Sequence, residues 1–89
     1  MTPKIKQQLK AKAHKLKPIV FIGNNGLSEN VIKEINCGLQ AHELIKIRIQ
    51  SEDRELKRAL FAEACATGQA EAIQLIGGIG VMYRKREEE

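Results

Sequence analysis

Four apolar residues, Ile19, Val20, Phe21 and Ile22, run between Pro18 and the loop Gly23-Asn24-Asn25-Gly26. The run is too short for a buried helix and both flanks break helices, so it is a strand. Beyond the loop the period changes, with Val31, Ile32, Ile35 and Leu39 recurring at spacings of three and four. Ser28 is a good N-cap for that helix, and Leu27 is placed to pack on Ile32 as a hydrophobic staple. Strand, tight loop and helix, the last expected over Ser28 to Ala41, therefore follow one another directly. Any fold of this chain has to deliver the end of a strand to the start of a helix.

That loop brings two glycines and free backbone N–H groups to a helix N-terminus, a setting that favours an anion such as phosphate. Asn-Gly is also a hairpin-turn dipeptide, and Gly-x-x-Gly recurs by chance in unrelated proteins. A hairpin is disfavoured because alternation does not resume after Gly26. The charge around the loop favours a binding role.

Residues 1–20 hold six lysines, Lys4, Lys6, Lys10, Lys12, Lys15 and Lys17, and no acid, whereas residues 21–89 hold nine Lys/Arg against eleven Asp/Glu. Such asymmetry points to a polyanionic partner, either nucleic acid or a membrane surface. With 89 residues, 43% hydrophobic and 29% charged, the chain suits one globular domain, expected over 1–86, with 87–89 as a frayed acidic tail. No apolar run reaches the ~20 residues of a spanning helix and no signal-peptide core follows the first lysines, so a cytoplasmic monomer is expected.

Pro3 suits the first turn of an opening helix whose stripe is Ile5, Leu9, Ala13 and Leu16, ended by Lys17-Pro18. Gly38, inside the second helix, marks close packing or an early end. Leu44 to Gln50 alternates, placing Ile45, Ile47 and Ile49 on one face and Lys46 and Arg48 on the other, a half-buried strand. Ser51, Glu52 and Asp53 then cap a third helix that runs to about Ala66, with Gly68 as its stop. This helix is expected to bury Leu56, Leu60, Phe61, Ala64 and Cys65, and to pair Arg54, Lys57 and Arg58 with Glu55 and Glu63 on its outer face. Ala72–Ile76 and Val81–Arg84 flank Gly77, Gly78, Ile79 and Gly80 as a closing hairpin. The order αβαβαββ gives an α/β fold: one small domain, an open mixed four-stranded sheet and three helices.

No catalytic constellation assembles from these residues. His14 and His42 are surface residues with no partner at catalytic or metal spacing, and Cys37 and Cys65, both expected to be buried thiols, match no metal-ligand pattern. No cofactor motif, metal set or enzyme activity is expected. Aromatic residues are scarce: Phe21 and Phe61 fall at expected core positions, leaving Tyr83. A sheet that reads RNA by stacking needs exposed aromatics, so the expected mode is the other one, a Gly-x-x-Gly loop that lets the sugar-phosphate backbone approach the main chain.

Leu16-Lys17-Pro18-Ile19-Val20-Phe21-Ile22-Gly23-Asn24-Asn25-Gly26-Leu27-Ser28, then Glu43-Leu44-Ile45-Lys46-Ile47, Glu52-Asp53-Arg54-Glu55, Ile76-Gly77 and Val81-Met82-Tyr83-Arg84, closely resemble the bacterial YhbY proteins. These are stand-alone CRM domains (chloroplast RNA splicing and ribosome maturation). The resemblance implies a fold like the C-terminal domain of the third bacterial translation initiation factor, RNA binding, and association with precursors of the large ribosomal subunit. The family's loop maps onto Gly23, Asn24, Asn25 and Gly26. The short acidic C-terminus departs from relatives that continue with basic residues, and Gly78 and Gly80 are unusual glycines expected at most to loosen the hairpin.

The expected RNA-binding residues are thus Gly23 to Gly26, the six N-terminal lysines, and Lys46, Arg48, Arg54 and Arg84. Two rival readings are a module that docks on a ribosomal protein or assembly factor, and a binder of anionic membranes. The latter is disfavoured because the first helix lacks the broad Trp/Phe/Leu face that insertion needs.

Overall fold

The computed structural model describes residues 1–23 and 25–86. Its elements are α1 (Pro3–Ala13), β1 (Val20–Ile22), α2 (Glu29–His42), β2 (Leu44–Ile49), α3 (Arg54–Thr67), β3 (Glu71–Ile76) and β4 (Ile79–Tyr83). The order αβαβαββ is the one expected, and the strands form a single mixed sheet in the order β1-β2-β4-β3. β1 runs parallel to β2 through the α2 crossover, while β4 is antiparallel to both β2 and β3.

Alternation in β2 decides how the layers stack. Ile45, Ile47 and Ile49 join Val20, Ile22 and Met82 beneath α2 and α3, whose Ile35, Leu39, Phe61 and Ala64 complete the larger core. On the opposite face Leu44 joins Ile73 and Val81, and α1 covers them with Leu9 and Ala13. The sheet is therefore sandwiched, but α1 is short and covers only part of its face. Asp53 caps α3, its Oδ1 accepting from the Glu55 and Leu56 N–H groups at 2.9 and 3.2 Å, and Ser28 Oγ accepts from Val31 N–H at 3.2 Å.

Several expectations are corrected. α1 stops at Ala13, because only Leu9 and Ala13 are buried and no apolar surface holds the chain helical beyond them. Ile5 and Leu16 stay exposed, as does Leu56 on α3. Cys65 is buried but Cys37 is exposed, since α2 turns Ile35, Gly38 and Leu39 inward and Cys37 falls off that arc. Phe21 is 56% exposed rather than a core residue: β1 buries Val20 and Ile22 on one side, and α1 does not reach the other.

The glycines of the closing hairpin are structural necessities. Gly77 and Gly78, at φ 56° and 83°, make the turn between β3 and β4, a left-handed pair of the kind a tight two-residue hairpin requires. A Cβ on Gly80 would lie 2.6 Å from Phe61 Cε1, so the bare backbone of β4 is where the Phe61 ring seats. Gly38 marks close packing, with Ile19 Cδ1 2.8 Å from where its Cβ would be. α3 ends at Gly68, but Gly68 is in the right-handed region (φ −82°) and the left-handed residue is Gln69 (φ 51°). The acidic tail 87–89 lies outside the described residues.

Candidate nucleic-acid interface

Because β1 and β2 are parallel and β4 is antiparallel to them, one end of the sheet gathers three connections: the loop after β1, the start of α3 and the β3–β4 turn. Main-chain bonds lock them together. Gln50 N–H donates to Ile22 O at 2.8 Å, and Ile49 N–H to Gly78 O at 2.7 Å. The loop is a turn closed by Gly26 N–H donating to Gly23 O at 3.0 Å, with Gly26 at φ 68°. Asn25 is exposed, and the space around Gly23 is open, with no atom within 4 Å of where a Cβ would stand. Asn24 lies outside the described residues.

Two features temper the anion-cradle expectation. The Gly26 amide is already spent inside the turn, and Glu29 occupies the first turn of α2, where its carboxylate offsets the helix dipole. Cations gather at the same end of the sheet. Arg54, Lys57 and Arg58 line a groove of about 290 Å³ against Ile76, Gly77 and Gly78. Sequence reasoning assigned Lys57 and Arg58 to salt pairs along α3, yet among the described residues the ion pair that forms is Arg86 with Glu43 at 3.8 Å. The groove they line forms because the β3–β4 turn folds back beside the first turns of α3, a long-range event with no local signal.

Arg48 belongs to the same end. It is exposed on the face away from α2 and α3, opposite Phe21 in the β1–β2 register. Lys46, one step back on that face, is half-buried and its Nζ donates to Leu16 O at 3.0 Å, tying the segment after α1 to the sheet.

The six N-terminal lysines are all exposed, but they form a second cationic region. α1 packs over β2 and β3, and Lys12 and Lys17 line a groove of about 550 Å³ with His42, Leu44 and Tyr83 at the start of β2. The three residues of β1, about 10 Å, separate Ile19 on the rim of that groove from Gly23. His14 and His42 are surface residues, as expected.

Arg84 joins neither region. Its Nη1 donates to Asn36 Oδ1 at 2.8 Å and to Gly68 O at 2.7 Å, and its Nη2 to Asn36 O at 3.3 Å. The guanidinium is a bracket between α2 and the end of α3, not a free cation. The signal that could have revealed this is Gly68: a helix end leaves carbonyls that need donors.

A Gly-x-x-Gly turn open at Gly23 on a parallel βαβ unit, with Arg48, Arg54, Lys57 and Arg58 at the same end of the sheet and in no ion pair among the described residues, defines a small α/β module with a cationic end. The chain belongs to the CRS1/YhbY (CRM) domain family, whose model matches residues 1–84. It is 43% identical over 88 residues to an RNA-binding protein of Haemophilus influenzae, covering 99% of this chain and 89% of that one. It is 39% identical over 85 residues to the probable RNA-binding protein PA4753 of Pseudomonas aeruginosa, covering 96% and 82%. The solution structure of the hypothetical protein SAV1595 from Staphylococcus aureus superposes with a TM-score of 0.86 at 35% identity, covering 99% of this chain and 92% of that one. Among the described residues no helix is long and apolar enough to cross a membrane.

Proposed function

We propose that this protein binds RNA without catalysing a reaction, holding the sugar-phosphate backbone at the turn Gly23 to Gly26 with Arg48, Arg54, Lys57 and Arg58 beside it. The six lysines of the α1 region add long-range attraction. The cellular partner is the ribosomal RNA of precursor large subunits, met in the cytoplasm by a monomer. The observation that carries this reading is the convergence, at one end of the sheet, of an open-sided glycine turn and cations from β2 and α3 that form no ion pair among the described residues.

Neutralising about four to six phosphates predicts that log K falls with log salt at a slope near −3 to −4 for single-stranded RNA. A salt-independent affinity would sink the mechanism. Asn24→Asp with Asn25→Asp places two carboxylates on the turn and should weaken RNA binding severalfold. Unchanged binding would favour docking on a ribosomal protein instead. Crosslinking in cells, with sequencing of the attached RNA, tests the partner: recovery without large-subunit ribosomal RNA overturns it.

A further inference from the structure

Four side chains stand in one register row across the sheet. Phe21 of β1 is opposite Arg48 of β2, Arg48 is opposite Ile79 of β4, and Ile79 is opposite Ile76 of β3. Directly paired residues point to the same face, and this is the face that α1 covers only at its other end. Phe21 is 56% and Ile76 64% exposed, and Arg48 is exposed between them. Single apolar residues scattered over a surface need no explanation. Here an aromatic ring and two isoleucines line up around a cation, one strand spacing apart.

We infer that this row is a base-stacking site for single-stranded RNA, taking on the Phe21 ring a base of the strand whose phosphate rests on the adjacent Gly23–Gly26 turn. The inference rests on the RNA-binding reading and gives that reading a second contact. Phe21 lies on β1 two residues before Gly23, which directly follows the strand, so ring and turn are held close together. Arg48 supplies what a purely apolar partner would not need, a planar cation beside the ring that can stack on a base or meet a phosphate. A row about 14 Å long, three strand spacings, has room for a base or two but is far short of an ordinary protein–protein interface. A stack reads any base by its π-face, so the contact adds affinity with little sequence preference.

The chain has no tryptophan, so Phe21→Trp installs a single reporter. With oligouridylate as the probe, its emission should be quenched on binding, while inorganic polyphosphate, which has phosphates but no bases, should leave the emission unchanged. Phe21→Ala should weaken oligouridylate about 5- to 150-fold and leave polyphosphate affinity unaltered. Because the ring is more than half exposed, the variant should melt with the wild type, which separates lost contact from lost fold.

If the wild type binds oligouridylate and Phe21→Ala binds it equally well, or if the reporter does not respond to bound RNA, the stacking site is wrong and backbone recognition stands. If the wild type binds neither probe, the RNA-binding reading itself fails, and this inference with it. A wild-type dimer in sedimentation equilibrium that Phe21→Ala dissociates would show a second copy on the row and overturn the proposal.

Discussion

Arg84 and Asn36 are 48 residues apart in sequence and 2.8 Å apart in the fold, where the guanidinium donates to the side-chain oxygen of an asparagine that itself donates to Ile32 O at 3.1 Å. The same Arg84 group reaches the Gly68 carbonyl at the end of α3. Helix carbonyls at that end carry partial negative charge and lack internal donors, so a cation there is favourable without any carboxylate.

Arg84→Ala should therefore act on stability. Losing a part-buried cation that makes three hydrogen bonds costs about 1 to 3 kcal/mol. For a domain of this size that lowers the melting temperature by roughly 5 to 15 °C. Arg84→Lys should restore little, because an ammonium lacks the planar fork. Unchanged melting with weakened RNA binding would return Arg84 to the RNA interface.

Gly80→Ala should be costly for a different reason. The new Cβ would stand 2.6 and 2.7 Å from two atoms of the Phe61 ring, an overpacking worth about 1 to 3 kcal/mol. Phe61→Leu in the same chain should give back part of the loss, read as a coupling in a double-mutant cycle of denaturation midpoints. Simple additivity would mean that the ring does not depend on the bare strand.

The two glycines of the binding turn should separate stability from function. Gly26→Ala forces a left-handed backbone (φ 68°) on a residue with a Cβ and should cost about 1 to 2 kcal/mol. Gly23 has no left-handed φ and no atom within 4 Å of its missing Cβ, so Gly23→Ala should leave the melting curve within about 0.5 kcal/mol of wild type, as surface substitutions do. Its methyl group would nevertheless fill the open side of the turn and should weaken RNA binding severalfold. Full RNA affinity in Gly23→Ala would show that the backbone is not approached from that side.

The cysteines should react in two phases, exposed Cys37 promptly with a maleimide and buried Cys65 only as the protein opens. Burial, with a smaller contribution from Glu71, pushes the Cys65 thiol up from 9.0 to about 11. A thiol whose pKa is higher folded than unfolded favours folding at pH below the unfolded value. That contribution is present below about pH 9 and is lost as pH rises towards 11. Denaturation at pH 8 and 10.5 should show a larger alkaline loss for wild type than for Cys65→Ala. Equal losses would show that Cys65 is not the group responsible.

Much of this protein was determined by local sequence. The Ile45-Ile47-Ile49 alternation, the period of Val31 to Leu39 and the glycine punctuation dictate αβαβαββ because each is a short-range signal: a period of two, a period near 3.6, a residue that tolerates unusual φ. The family resemblance carried over residues 1–84 for the same reason. What only the tertiary structure decided is which side chains are spare. Phe21 is open because α1 stops at Ala13, Arg84 is occupied because Gly68 leaves a carbonyl beside it, and Lys57 and Arg58 face a groove because the Gly77-Gly78 turn folds against α3. Each outcome depends on where a distant segment packs, and that packing energy is summed over the whole core rather than written near the residue it exposes or buries.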